Sequence, residues 1–177
     1  MSRQSFVLEG TPEQVNALRR CLISELRCLC PSHVSISLNT TSHVDEYIAH
    51  RIGLVPFDQT FKENCDDKTS YIKIKGKSIY GYDVTGDIQP FYKDVKILDI
   101  GEDQELEMEI KFRTGTGKEH AMYQKTVAVG MESIDENHQK ISFECIFGDD
   151  NHKECLKEAF SCLKNKIKLN QEKLNQI

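Results

Sequence analysis

The stretch Asn39–Phe57, NTTSHVDEYIAHRIGLVPF, packs two histidines, two carboxylates, an arginine and a Gly-Leu-Val-Pro ending into a chain that is otherwise chemically plain. Its pattern predicts a short helix with a hard stop. Ser42 suits the N-cap with Asp45 at the third helical position, Val44, Ile48 and Ile52 share one face, and Gly53 followed by Pro56 ends the element. Glu46, His50 and His43 then point the other way. Glu46 and His50, one turn apart, have a spacing adequate for two metal ligands. No HExxH is present and the sequence places no third ligand, so the pattern favours surface or interface histidines. A free-standing binding module or small hydrolase using the His43/Glu46/His50 face is the competing reading.

Upstream, VSISLN alternates Val34, Ile36 and Leu38 with serines, the pattern of a half-buried strand. Before it, SFVLEG reads as a strand ending at Gly10, and TPEQ opens a helix with Thr11 as cap, Pro12 at the first position and Gln14 completing a capping box. On a wheel at ~100° per residue over 12–30, Val15, Leu18, Leu22, Leu26 and Leu29 form a core stripe. Ala17, Cys21, Ser24 and Cys28 form a neighbouring stripe of small residues, suited to close approach by a second helix. Asn16, Arg20 and Arg27 line the opposite side with Arg19 at its edge, and guanidiniums favour carboxylate partners.

Downstream, the polar run 58–70 reads as a loop. YIKIK, VKILDI, ELEMEIKFR, VAVGM and ISFECIF read as strands, clearest where Leu106, Met108, Ile110 and Phe112 alternate with charged residues. TGTGKEHA is expected to be a glycine turn, and 135–137 a turn between the last two strands. From Asn151 a helix runs towards the C-terminus, with Leu156, Phe160, Leu163, Ile167 and Leu174 at helical spacing. It outlasts the usual ~10–14 residues and keeps an apolar seam, as a helix does when it lies against a partner.

The 177 residues, 38% hydrophobic and 29% charged, suit one well-cored domain or two small ones. A net charge of -5 gives the whole chain no electrostatic footprint for nucleic acid, so contact with DNA or RNA is expected to run through partners. No apolar run approaches the ~18 residues of a membrane span and the N-terminus lacks a signal-peptide core, so the chain is expected to stay inside the cell. Seven cysteines without a CxxC fit reduced buried thiols rather than disulfides or a metal ribbon. GTGK at 115–118 resembles a phosphate loop, but Phe112 and Glu119 occupy positions where that pattern needs Gly and Ser or Thr. No oxyanion loop accompanies any cysteine nucleophile candidate.

LEGTPEQVNALRRCLISEL, VSISLNTTSHVDEYIAHRIGLVPF, VKILDIGEDQELEMEIKFRTGTGKEHAMY and ISFECIFGDDNHKECLKEAFSCLKNKI together, in this order, resemble the alpha-like subunit of multisubunit DNA-directed RNA polymerases, the family of the archaeal D subunit and the third-largest subunit of eukaryotic polymerase II. DEYIAHRIGLVPF followed by GKEHA is the most specific part. The resemblance implies an α+β fold with a discontinuous dimerisation domain, 1–32 with 133–177, interrupted by a mainly-β second domain, 33–132. It implies a non-catalytic platform that heterodimerises with a smaller alpha-like subunit and docks the second-largest subunit and a small zinc-binding subunit.

The expected partner-binding residues are Asn16, Ala17, Arg19, Arg20, Cys21 and Ser24 on the first helix, then Glu46, His50 and Arg51. Lys118, Glu119 and His120 join them from the GKEHA motif, and Phe160, Leu163, Ile167 and Leu174 from the last helix. No catalytic residue, metal or cofactor is expected. The family's loop after GLVPF often carries a cysteine cluster for zinc or iron–sulfur, whereas this chain has only Cys65 between residues 31 and 144. Tyr123 stands where the family usually has tryptophan. The short chain fits a viral version, which implies host cytoplasm and virion; a cellular version implies the nucleus.

Overall fold

The computed structural model describes residues 2–60, 63–65 and 67–175. The chain divides into two compact units, Met1–Arg27 with Thr116–Ile177, and Cys28–Gly115. Both junctions fall earlier than the 32/33 and 132/133 read from the sequence. The second falls early because residues 126–133 pair into the first unit's sheet.

In the first unit, β1 (Arg3–Glu9), β8 (Thr126–Ser133) and β9 (His138–Cys145) form an antiparallel sheet in the order β1-β9-β8. Alternate residues of β9, Gln139, Ile141, Phe143 and Cys145, are buried, and Phe6 stacks on Phe143 at 5.8 Å. The helix α1 (Pro12–Ser24) buries Val15, Leu18, Cys21 and Leu22. Its capping box forms as expected: Gln14 N–H donates to Thr11 Oγ1, and Thr11 N–H donates to Gln14 Oε1 at 3.0 Å. The edge strand β8 bulges where Ala128 adopts a φ of 52°, which bends the strand and blunts that edge against further pairing.

The helix predicted over 12–30 stops at Ser24. Glu25 closes it by donating its N–H to Cys21 O at 2.9 Å, and Arg27–Asn39 then runs as one strand, β2. The 4-3 spacing of Leu22, Leu26 and Leu29 imitates a helical stripe, yet the Leu29 backbone bonds a side chain instead. Its N–H donates to Gln59 Oε1 at 2.8 Å, and Gln59 Nε2 donates to Leu29 O at 3.1 Å. Cys28 and Arg27 therefore leave the helix faces assigned to them. Pro31 is tolerated because β2 is an edge strand.

The second unit is built on the sheet β2-β7-β3-β5, with β3 (Thr69–Lys75), β5 (Thr85–Gly86) and β7 (Glu105–Thr116). A small pair, β4 (Ile79–Tyr80) with β6 (Lys96–Leu98), and one helix, α2 (Asp45–Gly53), complete it. Leu106, Met108, Ile110 and Phe112 point into its core, where Phe57 meets Phe112 edge-on at 4.9 Å. The other face of β7 is wet, with Glu107 paired to Lys73 at 2.5 Å. The loop read over 58–70 has Phe61, Lys62 and Asp66 outside the described residues, and β3 takes its end from Thr69.

The C-terminal helix α3 (His152–Leu174) begins after Asn151, whose side chain makes no N-terminal cap bond; its amide turns back to donate to Phe147 O. The helix buries His152, Cys155 and Ala159, a row different from the apolar seam that the sequence displays. Residues 176 and 177, the last of the predicted seam's segment, lie outside the described residues.

Candidate functional site

In the second unit, the ionisable residues of Asn39–Phe57 are spent largely on local structure. The cap at α2 is Val44, not Ser42, and it makes no side-chain bond. The lead-in is held instead by Asn39, whose Nδ2 donates to His43 O at 2.9 Å and to Asp45 Oδ1 at 2.6 Å, while its Oδ1 accepts from Thr41 N–H at 3.0 Å. An Asn-centred turn of this kind replaces a helix cap as the device that fixes the chain's entry. His43 therefore precedes the helix, stacked on Tyr47 at 5.1 Å, and shares no helical face with Glu46 and His50.

Arg51 donates Nε to Ile97 O at 3.0 Å and Nη2 to Lys96 O at 3.1 Å, so its fork is committed to the backbone of β6. Glu46 and His50 are exposed. Among the described residues, no group of three or more His, Cys, Asp or Glu side chains is placed to hold a metal. Cys65 is buried, with its sulfur 3.7 Å from Thr114 Oγ1.

The GKEHA motif closes the end of α1 within the first unit. Lys118 N–H donates to Ser24 O at 2.9 Å, satisfying a carbonyl left open where the helix stops. Gly117 is required there: a Cβ would sit 2.7 Å from Ile23 O. Thr116 is still strand, so the turn predicted over 114–121 is shorter than expected. Glu119 accepts from the N–H and hydroxyl of Thr116 at 3.1 and 3.2 Å, and His120 Nδ1 accepts from Met122 N–H at 3.2 Å. Lys118, Glu119 and His120 are exposed, with the Glu119 and His120 side chains also shaping the turn, and Tyr123 after them is buried.

The small face of α1 has found a second helix, and it is this chain's own α3. Ala17, Arg20, Cys21, Ser24 and Glu25 line one hollow together with Leu163 and Lys166. Lys166 pairs with Glu25, and Cys162 Sγ lies 3.8 Å from Glu25 O. Cys21 is 3% exposed, and burial pushes its thiol up, so it acts as core and not as free surface. Asn16 accepts from Arg19 Nε at 3.0 Å along the helix; Arg20 is exposed.

Deeper in this unit, features that the sequence reading missed fasten α3. Lys125, almost fully buried, pairs with Glu158 at 2.7 Å, and Glu158 also accepts from Arg27 N–H at 3.3 Å. The His152 ring nitrogen Nδ1 lies 2.7 Å from Asp149 O. Cys145 and Cys155, with sulfurs 3.7 Å apart, are sealed from solvent. The Cys155 thiol beside Cys145 pulls Cys145 down to about 6, and that bond with burial pushes Cys155 up. A cysteine pair without access to solvent is packing, not a nucleophile.

With its inner row fixed, α3 turns the predicted seam outward. Phe160 is 46% exposed, Ile167 51% and Leu174 70%, while Leu163 is half-buried. Monomeric proteins rarely leave contiguous large apolar side chains in water. A discontinuous first unit, a mainly-β inserted unit and an apolar helix seam open to solvent define the class: an α+β protein of the alpha-like kind.

Comparison with known proteins agrees. A family profile described as the RNA polymerase Rpb3/RpoA insert domain matches residues 34–139. The DNA-directed RNA polymerase subunit Rpo3 of Methanocaldococcus jannaschii is 32% identical over 175 residues, covering 97% of this chain and 90% of the relative. The Rpo3 subunit of Methanopyrus kandleri is 30% identical over 173 residues, 82% of this chain and 63% of its own length. That of Methanothermobacter thermautotrophicus is 32% identical over 144 residues, 70% and 54%. The chain thus spans less than two thirds of the length of the latter two relatives. It belongs to the alpha-like Rpo3 family of DNA-directed RNA polymerase subunits. Among the described residues, no helix is long and apolar enough to cross a membrane.

Proposed function

We propose that the chain is a non-catalytic assembly subunit of a DNA-directed RNA polymerase. Its first unit pairs with a smaller alpha-like subunit, and the pair carries the second-largest subunit and a small zinc-binding subunit. The observation that supports this best is the outward seam of Phe160, Ile167 and Leu174, with Leu163 half-buried at its edge, on a helix whose inner row is already satisfied. On α1 the residues open to a partner are Asn16, Arg19 and Arg20; Ala17 and Ser24 are half-buried in the hollow shared with α3, and Cys21 is interior. On the second unit, Glu46 and His50 are the polar residues best placed for a further subunit, with Arg51 as their support. Lys118, Glu119 and His120 form a third contact. The compartment is that of the polymerase, whether nucleus or viral factory.

Capture of the tagged chain from its source, with recovered proteins identified by mass, tests this reading. Two very large polymerase subunits are expected together with a small alpha-like chain. A monodisperse, fully active small hydrolase recovered alone would overturn it.

A further inference from the structure

The outward seam of α3 has heptad spacing. Phe160, Ile167 and Leu174 recur every seventh residue, and Leu156, Leu163 and Asn170 fill the alternate 4-3 positions between them. Such a seam is the surface of a helical coil, and a single polar residue within it fixes register. The charged residues standing immediately beside the seam on its open side are basic. Along one border run Lys153, Lys157, Lys164 and Lys168, all exposed and one or two turns apart. The other border is closed by this chain's own α1, where Lys166 pairs with Glu25. The carboxylates Glu154 and Glu172 lie next to the lysine row on its side away from the seam, Glu154 three residues before Lys157 and Glu172 four after Lys168, so the lysines stand between them and the seam. A chain of net charge -5 thus presents a row of lysines beside this open seam.

We infer that this row selects the occupant of the seam: an amphipathic helix of a different chain, whose apolar stripe is bordered by aspartates and glutamates. A second copy of this chain is selected against, because its α3 would set lysines against lysines along the shared border. This rests on the assembly reading and adds to it the chemistry of the partner and the reason for pairing unlike with unlike. Charge on a border gives specificity and salt dependence more than raw affinity, so the effect is one of choice between partners.

The test uses the full chain and two synthetic helical peptides with the same Leu/Ile heptad seam, one bordered by glutamates and one by lysines, titrated by fluorescence anisotropy. At low salt the glutamate peptide is expected to bind about tenfold tighter, from several exposed pairs gained against several like pairs avoided. High salt should close the gap. The triple variant K157E/K164E/K168E, altered only at exposed positions, should prefer the lysine peptide. Sedimentation of the chain alone should show less self-association than the variant mixed with wild type.

Equal binding of both peptides overturns the charge rule while leaving an assembly seam in place. Binding of neither peptide, in a chain with an unchanged melting profile, overturns the seam as a docking surface altogether. A wild-type homodimer as tight as the mixed pair overturns the selection against a second copy.

Discussion

The helices α2 and α3 are both amphipathic, and they treat their apolar rows in opposite ways. In the second unit, α2 buries Ile48 and Ile52 completely in a core that includes Val55, Phe57 and Ile97. Two of its charged residues are spent within the unit: Arg51 holds two carbonyls and Asp45 holds Asn39. In the first unit, α3 makes its inner contacts with small and polar residues, Cys155, Ala159, His152 and Glu158, and leaves Phe160, Ile167 and Leu174 in water. The segment richest in chemistry thus spends Asp45 and Arg51 on its own unit, and the segment that looks bland carries the larger apolar surface left in water.

The contrast is broken or sharpened by substitution. Ile48→Ala in α2 should cost about 3 kcal/mol of stability, as for other fully buried aliphatics cut to alanine, seen as a lowered chemical-denaturation midpoint. Ile167→Ala in α3 should change stability by less than ~0.5 kcal/mol in the same measurement and yet weaken capture of a partner. Equal losses would mean that both seams are core.

Lys125→Met leaves Glu158 short of its counter-charge. It should cost about 2 kcal/mol, less than the ~3–5 of a fully enclosed pair because Glu158 is partly open to water. Arg51→Ala forfeits two bonds to β6 and should cost about 1 kcal/mol in the isolated chain; no change there, with assembly impaired, would return Arg51 to the interface.

The smallest effect is at Asp135, in the turn between β8 and β9. It accepts from the N–H groups of Asn137 and His138 at 2.9 and 2.8 Å, and the first of these bonds, then the His138 ring, holds its carboxyl below the usual range. A depressed folded pKa contributes stability that is present above the unfolded value near ~4 and lost as pH falls through the folded one. Asp135→Asn should therefore lower stability slightly at neutral pH, with the difference from wild type shrinking as pH falls through the folded value, so that the acid limb of the melting profile flattens.

Much of this architecture was legible because period-2 strands and capping chemistry are local. The Thr11–Gln14 box and the alternation of Leu106 to Phe112 appear in the structure as read. The end of α1 at Ser24 was not legible, since Leu26 and Leu29 keep helical spacing while the Leu29 backbone is claimed by Gln59, thirty residues away. Likewise no local pattern reveals that Cys21 faces this chain's own α3, or that His43 stands outside α2. The apolar seam of α3 was visible, but its outward direction depends on which row Lys125 and β9 capture. Counting heptads along 153–174 would have exposed the lysine border as well.

The most direct measurement compares captured complexes. The wild-type chain and an Ile167→Asp variant, matched in circular dichroism and melting profile, would be expressed in the source and recovered by the same tag. The account predicts that wild type brings the two largest polymerase subunits and the variant brings neither. Recovery of the polymerase at wild-type yield by a folded Ile167→Asp chain would contradict it.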